Sequence, residues 1–264
     1  MIQVAISGIA GRMGRSLLAL IREQSQEWKL VGALEAIQSP WLGKDAGEAD
    51  GKGPLGVKVS HEIETLASGC QVLIEFSASQ ATLSHLRFAV GRGLPMVIGT
   101  TGFSQEEYAE AASLAPGIPC VMSSNMSLGM NVMFALVEQA SKTLRDYDAE
   151  IIETHHAKKI DAPSGSAKTL LRIIEQARGG VVDVTHGRQG DVGERSKGTV
   201  GMHAVRGGDI VGDHTVLLAG PFERLELTHR AHGREVFARG ALAAAQFIAK
   251  APKGLYSMKE VLGL

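Results

Sequence analysis

The sequence predicts an α/β protein in which a doubly wound parallel sheet is followed by a mixed sheet with helices, an α+β unit. Two observations predict the first part. Short apolar runs alternate with helical segments as far as Asn125, and a glycine-rich turn joins the first strand to the first helix. A third observation predicts the second part, because long helices and longer strand-like runs replace that alternation after Asn125.

The first part follows a regular order of strand and helix. Its strands are almost continuously apolar, as expected where helices cover both faces of a parallel sheet. Residues 39–56 are rich in Gly, Asp and Lys and predict an irregular surface loop. Strands are predicted over 2–7, 28–35, 71–77, 95–101 and 119–125, and helices over 12–24, 80–93 and 104–115.

The second part mixes longer elements. Ser164 is the predicted N-cap of its middle helix. Residues 199–231 predict long antiparallel strands, with a hairpin turn at Gly207–Gly208. The polar, glycine-rich segment 180–198 predicts a mobile loop. Helices are predicted over 129–145, 164–177 and 234–250, and a strand over 149–156.

Composition excludes several classes of function. The chain has 27 Lys and Arg against 28 Asp and Glu, so no net field draws it to nucleic acid or to a membrane surface. No apolar run reaches the roughly 18 residues of a membrane span, and the amino terminus resembles no signal peptide. Cys70 and Cys120 lie in apolar surroundings, which predicts buried thiols in a reducing compartment. We therefore expect a cytoplasmic protein.

The turn GIAGRMG (8–14) predicts a dinucleotide site. Gly8, Gly11 and Gly14 keep side chains out of the turn, so backbone amides at the start of the helix can face a pyrophosphate. The spacing is G-x-x-G-x-x-G rather than the commoner G-x-G-x-x-G, so context has to support it. Glu35 ends the second strand about 20 residues further on, where an acid binds ribose hydroxyls. The alternative for Glu35 is a solvated strand end.

The residue after that acid bears on the choice of cofactor. Ala36 offers no cation to a 2′-phosphate, which favours NAD over NADP, although Arg12 or Lys29 could supply charge. Two further segments, 98–103 and 123–127, place small polar residues at the carboxyl ends of parallel strands, where open α/β sheets bind ligands. Ordinary strand-ending turns are the alternative for each segment alone.

The segment ETHHAKKIDAPSGSAKTL (153–170) gathers cationic groups ahead of a helix. His155 and His156 are adjacent on a strand, so they point to opposite faces and are poor ligands for one metal ion. Lys158 and Lys159 follow, and Ser-Gly-Ser then begins a helix, where free amides and hydroxyls capture a carboxylate. The pattern predicts a receptor for a small dicarboxylic acid, with acid catalysis beside it. A solvated basic turn is the alternative.

Taken together, these motifs resemble the dihydrodipicolinate reductase family over essentially the whole chain. The motifs, in family order, are GIAGRMG, IGTTGF, NMSLGMNV, ETHHAKKIDAPSGSA, RGGDIVGDHTV and ERLELTHRA. The resemblance implies a Rossmann domain over 1–127, completed by 238–264, and a substrate-binding and oligomerisation domain over 128–237. It also implies NAD(P)H-dependent reduction of 4-hydroxy-tetrahydrodipicolinate in lysine and diaminopimelate synthesis, by a homotetramer.

The resemblance assigns roles to individual residues. His155 is implied as a proton donor and acceptor and Lys159 as a proton donor. His156, Gly165 and Ser166 are implied to bind a substrate carboxylate. The implied cofactor-binding residues are Gly8, Ile9, Ala10, Gly11, Arg12 and Met13 at the pyrophosphate, Glu35 at the adenosine ribose, and Gly99, Thr100, Thr101, Ser123, Ser124, Asn125 and Met126 at the nicotinamide.

This chain departs from the family pattern at three positions. Ala36 stands where members that use NADPH well often have Arg, so NADH is the expected cofactor. Ser166 replaces the usual Thr and keeps its hydroxyl, and Met126 stands where an aromatic residue is common. Two alternatives are another two-domain dehydrogenase, such as one for an amino-acid semialdehyde, and a regulator that binds NAD(H) without turnover.

Overall fold

The computed structural model describes residues 1–66 and 68–264, which divide into two compact units. One unit comprises Met1–Leu128 together with Arg234–Leu264, and the other comprises Gly129–Gly233. The chain thus enters the first unit again at Arg234, ahead of the predicted 238, because the returning helix already begins at Glu235.

The elements alternate along most of the chain. The strands are β1 (Ile2–Ser7), β2 (Trp28–Leu34), β3 (Val59–Ser60), β4 (Val72–Glu75), β5 (Met96–Ile98), β6 (Pro119–Met122), β7 (Asp148–His155), β8 (Val184–Thr185), β9 (Val200–Arg206), β10 (Gly212–Gly220), β11 (Glu223–Ala231) and β12 (Gly254–Tyr256). The α-helices are α1 (Arg12–Glu23), α2 (Ser79–Arg92), α3 (Gln105–Leu114), α4 (Leu128–Thr143), α5 (Gly165–Arg178), α6 (Glu235–Ile248) and α7 (Met258–Leu262).

The sheet of the first unit is parallel and has the strand order β12-β6-β5-β4-β1-β2-β3. Its two faces are both buried. Along β1, Val4 and Ile6 join the core that α1 and α6 cover, whereas Ala5 joins the core on the side of α2 and α3. Burial on both faces accounts for the apolar strands of the sequence. The doubly wound fold is confirmed, and the short strands β3 and β12 are additions that the sequence did not predict.

The sheet of the second unit is mixed, with the order β11-β10-β7-β9-β8. β7 pairs in parallel with β9 and antiparallel with β10, so it lies between them. The predicted hairpin at Gly207–Gly208 is therefore wrong, because β9 and β10 are not neighbours. The hairpin of this unit joins β10 to β11, and Phe222 in its turn has a φ of 69°. A local glycine pair indicates a turn but does not show that a third strand enters between its flanks.

One face of this second sheet is buried beneath α4 and α5. Ala149 and Ile151 of β7 belong to that core, and Glu153 continues the same face. Glu150 lies on the opposite face. The segment predicted as a mobile loop contains β8, and Arg195 joins it to the sheet through hydrogen bonds to Glu150 (3.1 Å) and to the carbonyl of Ala149 (3.1 Å).

The remaining features of composition have simple structural counterparts. In the described part of the chain, no helix is long and apolar enough to cross a membrane. Cys120 is buried and Cys70 is partly buried, and neither forms a disulfide. Burial raises the pKa of the Cys70 thiol to about 11 and that of Cys120 to about 12, so both are protonated at neutral pH.

Candidate active site

The glycine turn forms a backbone cradle between β1 and α1. Gly8 has a φ of +78°, and a Cβ there would lie 2.4 Å from the carbonyl oxygen of Phe76. A Cβ on Gly14 would lie 2.2 Å from the carbonyl oxygen of Gly8, so both positions require glycine. The turn ends at Gly11, where α1 begins with its amides unpaired within the helix. This geometry fits a pyrophosphate.

A cleft of about 660 Å³ extends from this cradle towards the end of β2. Gly8, Ala10 and Gly11 line it together with Glu35 and Ala36. The backbone amide of Ala10 donates a hydrogen bond to Glu35 Oε1 at 2.7 Å, so the acid is held directly against the glycine turn. The sequence placed Glu35 beside the turn only through a spacing rule, and the structure brings the two into contact.

A second cleft of about 380 Å³ continues on the other side of Gly11, at the carboxyl ends of β5 and β6. Most of its lining was expected from the sequence. Ile9 lines neither cleft, because its side chain is fully buried in the core beneath α1. The expected residues that line this cleft are Gly11, Arg12, Met13, Gly99, Thr100, Thr101, Ser123, Ser124, Asn125 and Met126.

Sequence reasoning missed three residues of this lining, namely Phe76, Ser77 and Phe237. Phe76 and Ser77 also line the first cleft, and a Cβ on Gly99 would lie 2.1 Å from the Phe76 ring. Both follow the carboxyl end of β4, so the strand-end rule could have found them. Phe237 comes from α6, more than 100 residues beyond the other lining residues, and no local signal marks it.

Neither cation considered for a 2′-phosphate lies beside Glu35. Lys29 is near the amino end of β2 and pairs with Gln3 of β1, roughly 20 Å along the strand from Glu35. Arg12 lines the second cleft rather than the one that holds Glu35. Two side chains with a fixed positive charge, Arg15 and Lys44, pack over Trp41 in the wall of the first cleft.

The second unit holds His155 at the end of β7 through a buried carboxylate. His155 Nδ1 lies 2.6 Å from Glu153 Oε2, and Glu153 is fully buried. Arg206 donates to the two Glu153 oxygens at 2.8 and 2.9 Å, and the amide of Ser164 donates at 3.0 Å. The cluster thereby joins β7, β9 and the start of α5.

The pKa shifts in this cluster have opposing causes. Burial alone would raise the pKa of Glu153, but hydrogen bonds from Arg206, His155 and the Ser164 amide outweigh burial and lower it. Burial lowers the pKa of His155, and Glu153 opposes that shift only in part. Glu153 is therefore an anion at neutral pH, and the His155 ring is neutral.

A second histidine packs against the first. His214 of β10 is buried, and its ring lies 5.2 Å from that of His155 in an edge-to-face arrangement. Its Nε2 lies 3.1 Å from the hydroxyl of Ser164, the N-cap of α5. Ser164 is confirmed as that N-cap, since its hydroxyl accepts the Ala167 amide at 3.2 Å. Burial is the main cause that lowers the pKa of His214 to about 4.

The remaining predicted residues surround the turn between β7 and α5. Lys159 donates to Asp161 Oδ1 at 2.7 Å and is 20% exposed, whereas Lys158 is exposed. The Lys159 amide closes a turn onto the His156 carbonyl at 3.1 Å. The Nδ1 of His156 is enclosed and has no hydrogen-bond partner among the described residues.

The first turn of α5 holds the last two predicted substrate residues. Gly165 is exposed, and a Cβ there would meet no atom within 4 Å, so a ligand can approach its backbone closely. Ser166 follows and is half-buried. Sequence reasoning did not predict Glu153, Arg206 or His214. Glu153 has a signal, because it is an acid two residues before His155 and therefore shares its face of the strand.

Comparison with known proteins places the whole chain in one family. Residues 2–126 match the family model described as dihydrodipicolinate reductase, N-terminus, and residues 129–262 match its C-terminus. The 4-hydroxy-tetrahydrodipicolinate reductase of Nitrosomonas eutropha is 45% identical over 267 residues, covering 100% of this chain and 99% of that protein. The protein of the same name from Geobacter sp. is 42% identical and covers 100% of both.

Solved structures share the fold. Dipicolinate-bound dihydrodipicolinate reductase from Paenisporosarcina sp. TG-14 superposes with a TM-score of 0.78 at 24% identity, covering 98% of each chain. An amine dehydrogenase from Mycobacterium smegmatis superposes with a TM-score of 0.61 at 14% identity, covering 97% of this chain and 95% of that one. With both halves matched and relatives above 40% identity over the full length, this chain belongs to the dihydrodipicolinate reductase family.

Proposed function

We propose that this chain reduces 4-hydroxy-tetrahydrodipicolinate to tetrahydrodipicolinate with a nicotinamide cofactor, as a step of lysine and diaminopimelate synthesis. The observation that carries the proposal is the cluster at the end of β7. There a buried carboxylate orients His155, and Lys159 and the start of α5 follow within ten residues. The names of the full-length relatives support the substrate.

The first unit binds the cofactor. The backbone amides of Arg12 and Met13, at the start of α1, hold the pyrophosphate. Glu35 receives the adenosine ribose, and Thr100, Thr101 and Asn125 line the nicotinamide end. When bound, NADH or NADPH supplies the hydride. Phe76, between the two clefts, and Phe237, at the second, add apolar walls that keep water from the reacting face.

The second unit binds the dicarboxylate. His156, Gly165 and Ser166 receive one carboxylate, since the open Gly165 backbone lies at the positive end of α5. Lys159 adds a cation beside them and offsets negative charge as it develops on the substrate.

The proton balance of the reaction gives Lys159 and His155 their roles. The substrate loses its 4-hydroxyl group as water, and a hydride adds to the conjugated carbon–nitrogen system of the ring. Electron density then moves towards the ring nitrogen, so one proton has to be supplied. Lys159, with His155 close by, supplies that proton.

The preferred cofactor is NADH. Glu35 favours free ribose hydroxyls, and Ala36 places no cation next to them. Lys29 lies at the far end of β2 and Arg12 lines the other cleft, so neither of these cations lies beside Glu35, which supports NADH. Arg15 and Lys44 over Trp41 are the groups that would bind a 2′-phosphate if NADPH were used.

The assembly and location belong to the same proposal. The sheet face turned away from α4 and α5 exposes Ile152 and Val205, which favours burial between subunits of a homotetramer. The thiols of Cys70 and Cys120 are unpaired, which favours the reducing cytoplasm. The proposed substrate is a small molecule, so the proposal includes no nucleic-acid or membrane partner.

A coupled assay tests this function. The substrate is generated freshly by an upstream synthase, and loss of NADH or NADPH is followed with each cofactor in turn. We expect turnover with both and a higher kcat/KM with NADH. Equal or better turnover with NADPH would keep the reductase and overturn the NADH preference. Tight NADH binding without turnover would instead favour a regulator that binds the cofactor.

A further inference from the structure

Glu153 accepts hydrogen bonds from three different groups. It is fully buried and accepts from Arg206, from the Ser164 amide and from His155. Arg206 and the amide donate hydrogen bonds but do not give up their protons at neutral pH. These contacts therefore hold the carboxylate as an anion in one orientation. An ionised carboxylate has no proton to donate. The His155 nitrogen facing it must therefore carry the hydrogen.

The opposite side of the His155 ring is built to leave Nε2 accessible. A Cβ on Gly212, in the neighbouring strand β10, would lie 3.0 Å from His155 Nε2. Any side chain at this position would crowd that nitrogen. None of the hydrogen bonds of the cluster described above uses Nε2, and the His155 side chain is 12% exposed.

We infer that Glu153 is a positioning residue, which holds His155 in the tautomer with hydrogen on Nδ1 so that Nε2 is the nitrogen that accepts protons. The inference rests on the proposed function for its catalytic meaning. A neutral ring of this tautomer cannot be the first proton donor. Lys159, an ammonium, gives the proton that the ring nitrogen needs after hydride transfer. His155 accepts at Nε2 the proton that a ring carbon loses in the dehydration, and returns it to the departing hydroxyl, which leaves as water. Glu153 stabilises the imidazolium that forms meanwhile.

The charges around the ring agree with this division of roles. Glu153, on the same strand, favours the protonated ring, whereas Lys159 and Arg206 oppose it. His214, packed against the ring from β10, is itself neutral near pH 7 because burial lowers its pKa to about 4. When the ring gains a proton, the negative charge of Glu153 therefore compensates its positive charge.

Nitrogen NMR of protein labelled with ¹⁵N in its histidines tests the tautomer directly. Long-range proton–nitrogen spectra distinguish a protonated from a bare ring nitrogen, and the signals lost in His155→Gln identify His155. In the unmodified protein at neutral pH we expect hydrogen on Nδ1 and a bare Nε2. In Glu153→Gln, whose amide can donate to Nδ1, we expect hydrogen to shift to Nε2. A wild-type ring with hydrogen on Nε2 would overturn the inference.

Glu150→Gln is the matched control. Glu150 lies on the same strand but on the opposite face, and it binds His203 at 2.7 Å as Glu153 binds His155. This variant should change the signals of His203 and leave those of His155 as they were. A changed His155 tautomer in Glu150→Gln would mean that the effect is a general response of the strand, and would contradict the inference.

The pH profile provides the catalytic readout. Without the Glu153 charge, His155 protonates only at lower pH. The acid limb of the kcat/KM profile of Glu153→Gln should therefore move to lower pH, and the highest kcat/KM of the profile should fall at least tenfold. Glu153→Asp, which keeps the charge, should recover part of the rate. An unmoved profile with full activity would refute the role.

If Glu153→Gln fails to fold, the wild-type spectrum and the kinetics of Glu153→Asp still decide. If the protein shows no reductase activity, the spectra still decide whether Glu153 sets the tautomer.

Discussion

At the scale of single residues, the chemistry of this chain depends on what each charged group contacts. Lys158 and Lys159 are adjacent and chemically identical, yet one is exposed and the other is paired with Asp161 at 2.7 Å. Glu150 and Glu153 both lie on β7 and both are paired, but on opposite faces: Glu150 binds Arg195 and His203, whereas Glu153 lies beneath the first turn of α5. Strand alternation in the sequence places Glu153 on the face of His155, but nothing in the sequence shows which of the two lysines is paired.

Lys159→Ala tests the proton donor. We expect kcat to fall by about 10²- to 10⁴-fold with a smaller change in KM, because general acid catalysis is lost while His156 and the start of α5 still bind the substrate. Lys158→Ala is the control, since it removes an equal charge from the exposed neighbour, and its kinetics should match the unmodified enzyme within about threefold. Unchanged turnover in Lys159→Ala would remove Lys159 from the mechanism.

At the scale of elements, the sequence predicted strands and helices well where burial is repetitive. The apolar strands of the first sheet are buried on both faces, and composition alone indicates that. The hairpin at Gly207–Gly208 was wrong because the pairing partner of β9 is β7, about 50 residues earlier. Phe237 was missed for the same reason, since only the return of α6 brings it to the second cleft. Long-range pairing leaves no local signal.

The turn between β1 and α1 allows a steric prediction. A Cβ on Gly14 would lie 2.2 Å from the carbonyl oxygen of Gly8 and 2.4 Å from that of Ile9, so Gly14→Ala has to displace the cradle. We expect the displaced cradle to bind NADH more weakly, which calorimetric titration measures. Overpacking should also lower the stability of the fold by about 1–3 kcal/mol. Gly91→Ala is the control. Gly91 is an exposed position of α2 with open space around it, so this variant should bind NADH normally. Normal affinity in Gly14→Ala would contradict the pyrophosphate assignment.

His214, which links β10 to the N-cap of α5, makes the stability of the fold depend on pH. Burial lowers the pKa of His214 to about 4, so as pH falls from 6.5 the unfolded chain takes up this proton before the folded one. The free energy of unfolding should therefore decrease between pH 6.5 and 4, by at most about 3 kcal/mol from this group. Urea denaturation at several pH values measures the slope. His214→Gln should flatten it, and His61→Gln, at an exposed histidine, is the control. An equal slope in His214→Gln would refute the assignment.

At the scale of the whole molecule, the proposed function divides two tasks between two units of different construction. The unit of Met1–Leu128 and Arg234–Leu264 offers a backbone cradle and clefts for a dinucleotide. The unit of Gly129–Gly233 offers oriented proton-transfer groups and a helix start for a carboxylate. The family resemblance could be predicted from motifs along the whole chain. The network that orients His155 could not, because its hydrogen bonds join residues up to 53 positions apart.

Transfer of deuterium from NADH labelled at the transferable C4 position tests the central claim that the chain is a hydride-transferring reductase. The labelled cofactor is supplied with freshly generated 4-hydroxy-tetrahydrodipicolinate, and the product is analysed by mass spectrometry. We expect one deuterium in each molecule of tetrahydrodipicolinate, with an equal amount of NAD⁺ formed. Oxidation of NADH without deuterium in the product, or no reaction while NADH remains bound, would contradict the proposed function.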